Sequence, residues 1–87
     1  MSEHDEADAI GTVTHYFSHL SVAAVELSQP LKVGERIHIK GHTTDLLQAV
    51  ESMQVDHAPI EQAKPGDDVA LHVDDHVRDH DRIYREG

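Results

Sequence analysis

The sequence contains no cysteine and no tryptophan, and its aromatic residues are two tyrosines and one phenylalanine among 87 residues. Without cysteine, the chain has no disulfide, no thiolate nucleophile and no cysteine-ligated zinc site. No segment approaches the roughly 20 consecutive apolar residues that cross a bilayer as a helix. Residues 1–6 are acidic where a secretory signal is basic. We therefore expect a cytoplasmic protein without a membrane partner.

Basic residues are also scarce. Seven Lys and Arg stand against 17 Asp and Glu, which gives a formal net charge of −10. Such a charge repels the phosphate backbone and argues against a duplex-DNA partner. The excess of aspartate over lysine is found in salt-adapted cytoplasms, but an ordinary acidic protein is the simpler interpretation.

Sequence motifs for catalysis are missing as well. The chain has no Gly-x-Ser-x-Gly elbow, no phosphate-binding loop and no dinucleotide fingerprint, so binding of GTP by that route is excluded. The adjacent carboxylates Asp67–Asp68 and Asp74–Asp75 diverge if they lie on strands, and they sit in polar, turn-like contexts. We predict that the protein is not an enzyme, that no residue is catalytic and that no cofactor is bound.

What is present favours one small β domain. Residues 1–8 carry mostly acidic side chains and predict a disordered tail, whereas residues 9–87 predict a single domain. β-Branched and alternating apolar residues predict strands at 10–17, 22–27, 36–40, 69–73 and 82–84. Short strands separated by frequent turn signals indicate an all-β barrel or sandwich.

Residues 45–55 admit two interpretations. Leu46, Leu47, Val50 and Met53 have helical spacing behind a potential cap at Asp45. The same residues also suit a long bent strand with a β-bulge near Val50.

Nine histidines raise the possibility of a metal site. His72, Asp74 and His76 would share one exposed face of an extended segment, where imidazole and carboxylate groups hold borderline metals. A solvated polar edge is the favoured interpretation, because metal sites draw ligands from several segments.

Four motifs in order resemble the second, β-barrel domain of elongation factor Tu and related translation GTPases, over about residues 10–84. They are Ile10-Gly11-Thr12-Val13-Thr14-His15-Tyr16-Phe17, Leu31-Lys32-Val33-Gly34-Glu35-Arg36-Ile37, Val50-Glu51-Ser52-Met53 and Ala63-Lys64-Pro65-Gly66-Asp67-Asp68-Val69. The segment Gly41-His42-Thr43-Thr44-Asp45 brings the match closer to small translation-factor-like proteins. Similar barrels also end some collagenase-like peptidases.

The resemblance implies a small closed antiparallel barrel of about six strands, with residues 46–55 as a long bent strand. It also implies a binding surface, for which the candidate residues are Gly41, His42, Thr43, Thr44, Asp68 and Val69.

Three functions follow as hypotheses. The favoured one is a non-catalytic module that docks on a protein or ribonucleoprotein of the translation apparatus. The alternative is a detached accessory barrel of a collagenase-like peptidase or a tRNA-modification enzyme, and the second alternative is a divalent-metal binder.

Overall fold

The computed structural model describes residues 8–86 and shows an all-β fold of ten strands. The strands are β1 (Gly11–Phe17), β2 (Val22–Leu27), β3 (Leu31–Lys32), β4 (Arg36–Lys40), β5 (Asp45–Ala49), β6 (Met53–Val55), β7 (Ala58–Ile60), β8 (Gln62–Ala63), β9 (Asp68–His72) and β10 (Arg82–Glu86). The predicted acidic tail lies outside the described residues except for Asp8. Within residues 8–86, no helix has the length and apolar character needed to cross a membrane.

Eight strands form one antiparallel sheet in the order β5-β4-β10-β1-β2-β9-β6-β7, and β3 pairs with β8 in a separate ribbon. The all-β, antiparallel prediction is confirmed. The prediction of a closed barrel of about six strands is wrong, because β5 and β7 end the sheet without pairing with each other. The sheet is an open, curled half-barrel.

The core lies inside this curl. In β2, β4 and β9, buried residues alternate with more exposed ones, as expected for a sheet with one buried face. In β4, the predicted alternation is confirmed: Ile37 and Ile39 are fully buried, whereas Arg36 is exposed and His38 half-buried. The ribbon of β3 and β8 adds Leu31 and Ala63 to the same core.

Residues 45–55 form neither the helix nor the single bent strand. β5 ends at Ala49 and β6 begins at Met53. Between them, the N–H of Val50 donates to the carbonyl of Glu35 at 2.8 Å, and its own carbonyl accepts from the N–H of Gly34 at 2.9 Å. Because Glu35 directly precedes Arg36, the partner of Ala49, these bonds continue the β4–β5 pairing as far as Val50. After Val50 the chain leaves β4, and β6 pairs with β9 instead.

Candidate binding surface

A β-bulge at Thr14 determines which side chains of β1 reach the outer face of the sheet. Val13 pairs with Val25, but the next paired residue is His15, opposite Ala24, so Thr14 is the extra residue. The bulge reverses the alternation: Val13 points into the core, whereas His15 and Phe17 face outward. Their rings meet edge to face, with centroids 4.5 Å apart.

An apolar groove of about 340 Å³ lies on this outer face, across β2, β9 and β6. Its lining residues are Phe17, Leu20, Val22, Ser52, Gln54, His57, Ala70 and His72. Leu20, in the turn between β1 and β2, is 58% exposed, and Phe17 is 36% exposed. Contiguous apolar surface is a feature that interaction sites share.

One imidazole of the groove lining, that of His72, lies near two carboxylates. His72 Nδ1 is 3.7 Å from an Oε1 atom of Glu51 and 3.8 Å from an Oδ1 atom of Asp74. This nitrogen is buried and has no hydrogen-bond partner, although the side chain as a whole is half-buried. Both carboxylate side chains are exposed.

Backbone hydrogen bonds position this cluster. The N–H of His72 donates to the carbonyl of Ser52 at 3.2 Å, which holds the Glu51–Ser52 segment beside the end of β9. The buried side chain of Gln48 accepts from the N–H of Asp74 at 2.8 Å. The relative placement of Glu51, His72 and Asp74 is therefore built into the fold.

The structure brings together two of the three predicted metal candidates. One donor atom each from Glu51, His72 and Asp74 lies within 4.8 Å of the others, so these three residues could hold a divalent ion. His76 is not among them, because its ring packs against Tyr16 with centroids 4.6 Å apart. Glu51, from a different segment, was not predicted and no local pattern marks it.

The predicted binding loop, residues 41–44, lies at a different part of the surface. The N–H of Gly41 donates to the carbonyl of Thr44 at 2.9 Å, and Thr44 is buried. His42 and Thr43 are exposed. Thr43 and Thr44 line a second, polar hollow together with His76 and Arg78.

The other two predicted binding residues differ in accessibility. Asp68 is exposed at the start of β9, opposite Glu26. Val69 is 2% exposed and belongs to the core, so its side chain is not available to a partner. Neither residue lines the groove. Of the groove residues, sequence reasoning singled out His72 alone, as a metal candidate. For the others, the one signal was a large apolar residue, Leu20, between two strands.

Outside the groove, the pKa of one exposed carboxyl group is lowered by its neighbours. Asp45 Oδ1 lies 2.5 Å from His38 Nε2. This hydrogen bond, helped by the charges of His38 and Lys40, holds the pKa of Asp45 below its ordinary value of 3.8.

Two curated relatives of this chain are named as a protease and a collagenase. The chain is 41% identical over 76 residues to an uncharacterized protease of Methanocaldococcus jannaschii, a match that covers 86% of this chain and 19% of that protein. It is 36% identical over 78 residues to a collagenase of Porphyromonas gingivalis, covering 87% of this chain and 22% of the collagenase. The chain thus spans about a fifth of the length of these relatives. No protein-family model matches it.

Among solved structures, a domain of the same size superposes on this chain. The C-terminal domain of a protein described as a U32 peptidase, from Geobacillus thermoleovorans, superposes with a TM-score of 0.84 at 15% identity. The superposition covers 99% of this chain and 100% of that domain. The selenomethionine variant of the same domain gives a TM-score of 0.79 and covers 90% of this chain.

This chain has the fold of that C-terminal domain. The resemblance to the second domain of elongation factor Tu is therefore wrong, and so is the description of the chain as translation-factor-like. The four motifs that suggested it are strand and turn patterns, such as Pro65-Gly66-Asp67, that unrelated β domains share.

Proposed function

We propose that this protein is a non-catalytic accessory module that binds polypeptide for a peptidase-type enzyme. One observation carries the proposal: nearly the whole chain matches about a fifth of a protease and of a collagenase. Its fold equals that of one C-terminal domain. A unit of this kind, with an apolar groove on its surface, is suited to holding a chain that another domain cleaves.

The proposal takes up the alternative formulated from the sequence and replaces the favoured one. Docking on the translation apparatus rested on the resemblance that the comparisons overturn. No finding favours the tRNA-modification half of the alternative. The absence of catalysis and the cytoplasmic location stay predictions.

A chimera tests the proposal. The 78-residue matching segment of the Porphyromonas gingivalis collagenase is deleted, or replaced by this chain. We expect the deletion to slow cleavage of a protein substrate while a short peptide substrate is cleaved at the original rate. Replacement by this chain should restore cleavage of the protein substrate.

The control is the same deletion with the collagenase's own segment put back. A deletion that leaves cleavage of both substrates unchanged would contradict the proposal. So would a soluble chimera that cleaves the protein substrate no better than the deletion. We also expect the isolated chain to cleave neither substrate.

A further inference from the structure

The apolar groove and the two carboxylates meet at one residue. His72 lines the groove, and its Nδ1 atom lies 3.7 Å from Glu51 and 3.8 Å from Asp74. A ligand that fills the groove therefore reaches the carboxylates with its next few atoms.

The groove favours a large apolar side chain. Four large hydrophobic side chains are exposed within residues 8–86, and two of them, Phe17 and Leu20, line this groove. Val22 and Ala70 complete its apolar surface. A volume of about 340 Å³ is at the small end for ligand pockets, so it suits one side chain and its backbone better than a packed helix.

The carboxylates favour a cation beside that side chain. Among the described residues, neither Glu51 nor Asp74 forms an ion pair with Lys or Arg. The titratable side chain beside both of them is His72. The chain as a whole has a formal net charge of −10. A positive group at this place gains attraction from both carboxylates, whereas a negative group is repelled.

We propose that the groove and its two carboxylates bind a polypeptide segment in which a large apolar residue lies close to Lys or Arg. Because an extended chain advances about 3.3 Å per residue, the basic residue lies within a few positions of the apolar one. This inference takes from the proposed function only that the ligand is a polypeptide, and it adds the class of sequence recognised.

Fluorescence anisotropy with short labelled Gly–Ser peptides tests the inference. Each peptide carries one Leu and one Arg at varied spacing, and matched peptides carry Glu in place of Arg or Ser in place of Leu. We expect saturable binding of at least one Leu–Arg peptide and markedly weaker binding of both matched peptides.

Variants of the protein locate the site. We expect L20S to weaken binding about tenfold through lost apolar contact, and E51Q/D74N about fivefold through the lost ion pairs. L47S removes a leucine of similar exposure, 54%, from β5. E61Q/D79N removes two exposed carboxylates elsewhere. Both control variants should bind like the unaltered protein.

The inference would be overturned if no peptide binds, if Arg and Glu peptides bind equally, or if the groove variants bind like the controls. Binding that requires added zinc and disappears with EDTA would overturn it too, and would identify the carboxylates and His72 as a metal site. The chimera gives a separate answer. Restored cleavage without peptide binding rejects only this inference, whereas peptide binding without restored cleavage rejects only the accessory role.

Discussion

The side-chain amide of Gln48 donates a hydrogen bond of 2.9 Å to the carbonyl oxygen of His72. Gln48 is 4% exposed and belongs to β5, an edge strand, whereas His72 ends β9 on the far side of the curl. The same side chain accepts from the N–H of Asp74 at 2.8 Å. One buried amide thus joins two sides of an open sheet whose edges do not pair, and it fixes the backbone that carries the groove's imidazole and one of its carboxylates.

Replacing Gln48 by leucine tests this bridge. Q48L keeps the volume but leaves the carbonyl of His72 and the N–H of Asp74 without their partner inside the protein. We expect a loss of about 2 to 4 kcal/mol in the free energy of unfolding. Urea denaturation measures it, with Q62L at an exposed position of β8 as the control. Equal midpoints for Q48L and Q62L would show that the bridge does not stabilise the fold.

The sequence predicted the strands whose signal is local. β2 and β4 were placed correctly because apolar residues alternate along them, as Ile37 and Ile39 do. The outward orientation of Phe17 could not be predicted, because simple alternation puts Val13 and Phe17 on one face. The bulge at Thr14 that separates them appears only in the pairing with β2.

The candidate site was harder to predict from the sequence than the strands were. His72 and Asp74 were singled out because they are close in the chain. Their partner Glu51 is 21 positions before His72, and their positioning by Gln48 spans 24 positions. Contacts of this separation depend on how the sheet curls, which no local pattern of residues specifies.

A second prediction concerns the close approach of Gly41 to Asp81. A Cβ atom at Gly41 would lie 1.8 Å from Oδ1 of Asp81. Asp81 is 3% exposed, and its Oδ2 accepts from the N–H of Arg78 at 2.8 Å, so it has little freedom to move. We expect G41A to lower the free energy of unfolding by about 2 to 3 kcal/mol.

The matched control for G41A is T43A, at an exposed position of the same loop, where we expect a change within about 0.5 kcal/mol. In the double variant G41A/D81A, the carboxyl that clashes with the new Cβ atom is gone. Its loss in the free energy of unfolding should therefore be smaller than the sum of the losses in the two single variants. Strict additivity would show that the two positions do not interact.

The hydrogen bond between His38 and Asp45 predicts a dependence on pH. The folded pKa of Asp45 lies below 3.8, with the bond from His38 as the largest cause. Asp45 therefore stabilises the fold above its unfolded pKa, and this contribution is lost as the pH falls through its folded value. In a carboxyl NMR titration, H38A should raise the pKa of Asp45 toward 3.8.

The control for that titration is K40Q, because the charge of Lys40 makes the smallest contribution to the lowered pKa of Asp45. We expect K40Q to raise the pKa of Asp45 less than H38A does. If K40Q has the larger effect, long-range charge and not the hydrogen bond governs Asp45.

The hairpin between β6 and β7 carries strain that a substitution can relieve. Asp56 and His57 connect the paired residues Val55 and Ala58, and both have positive φ, 52° and 66°. Two left-handed residues in a two-residue loop define a type I′ turn, for which Asn-Gly is the preferred sequence. We expect D56N/H57G to raise the free energy of unfolding by about 1 kcal/mol, since left-handed backbone is unfavourable for most other residues.

Of the single variants, H57G should contribute more than D56N, because glycine has no Cβ to clash in this conformation. A58G, which loosens the adjoining strand, should destabilise in the same urea experiment. A loss of stability in H57G would instead mean that the His57 side chain, at the wall of the groove, stabilises the hairpin by more than its backbone strain costs.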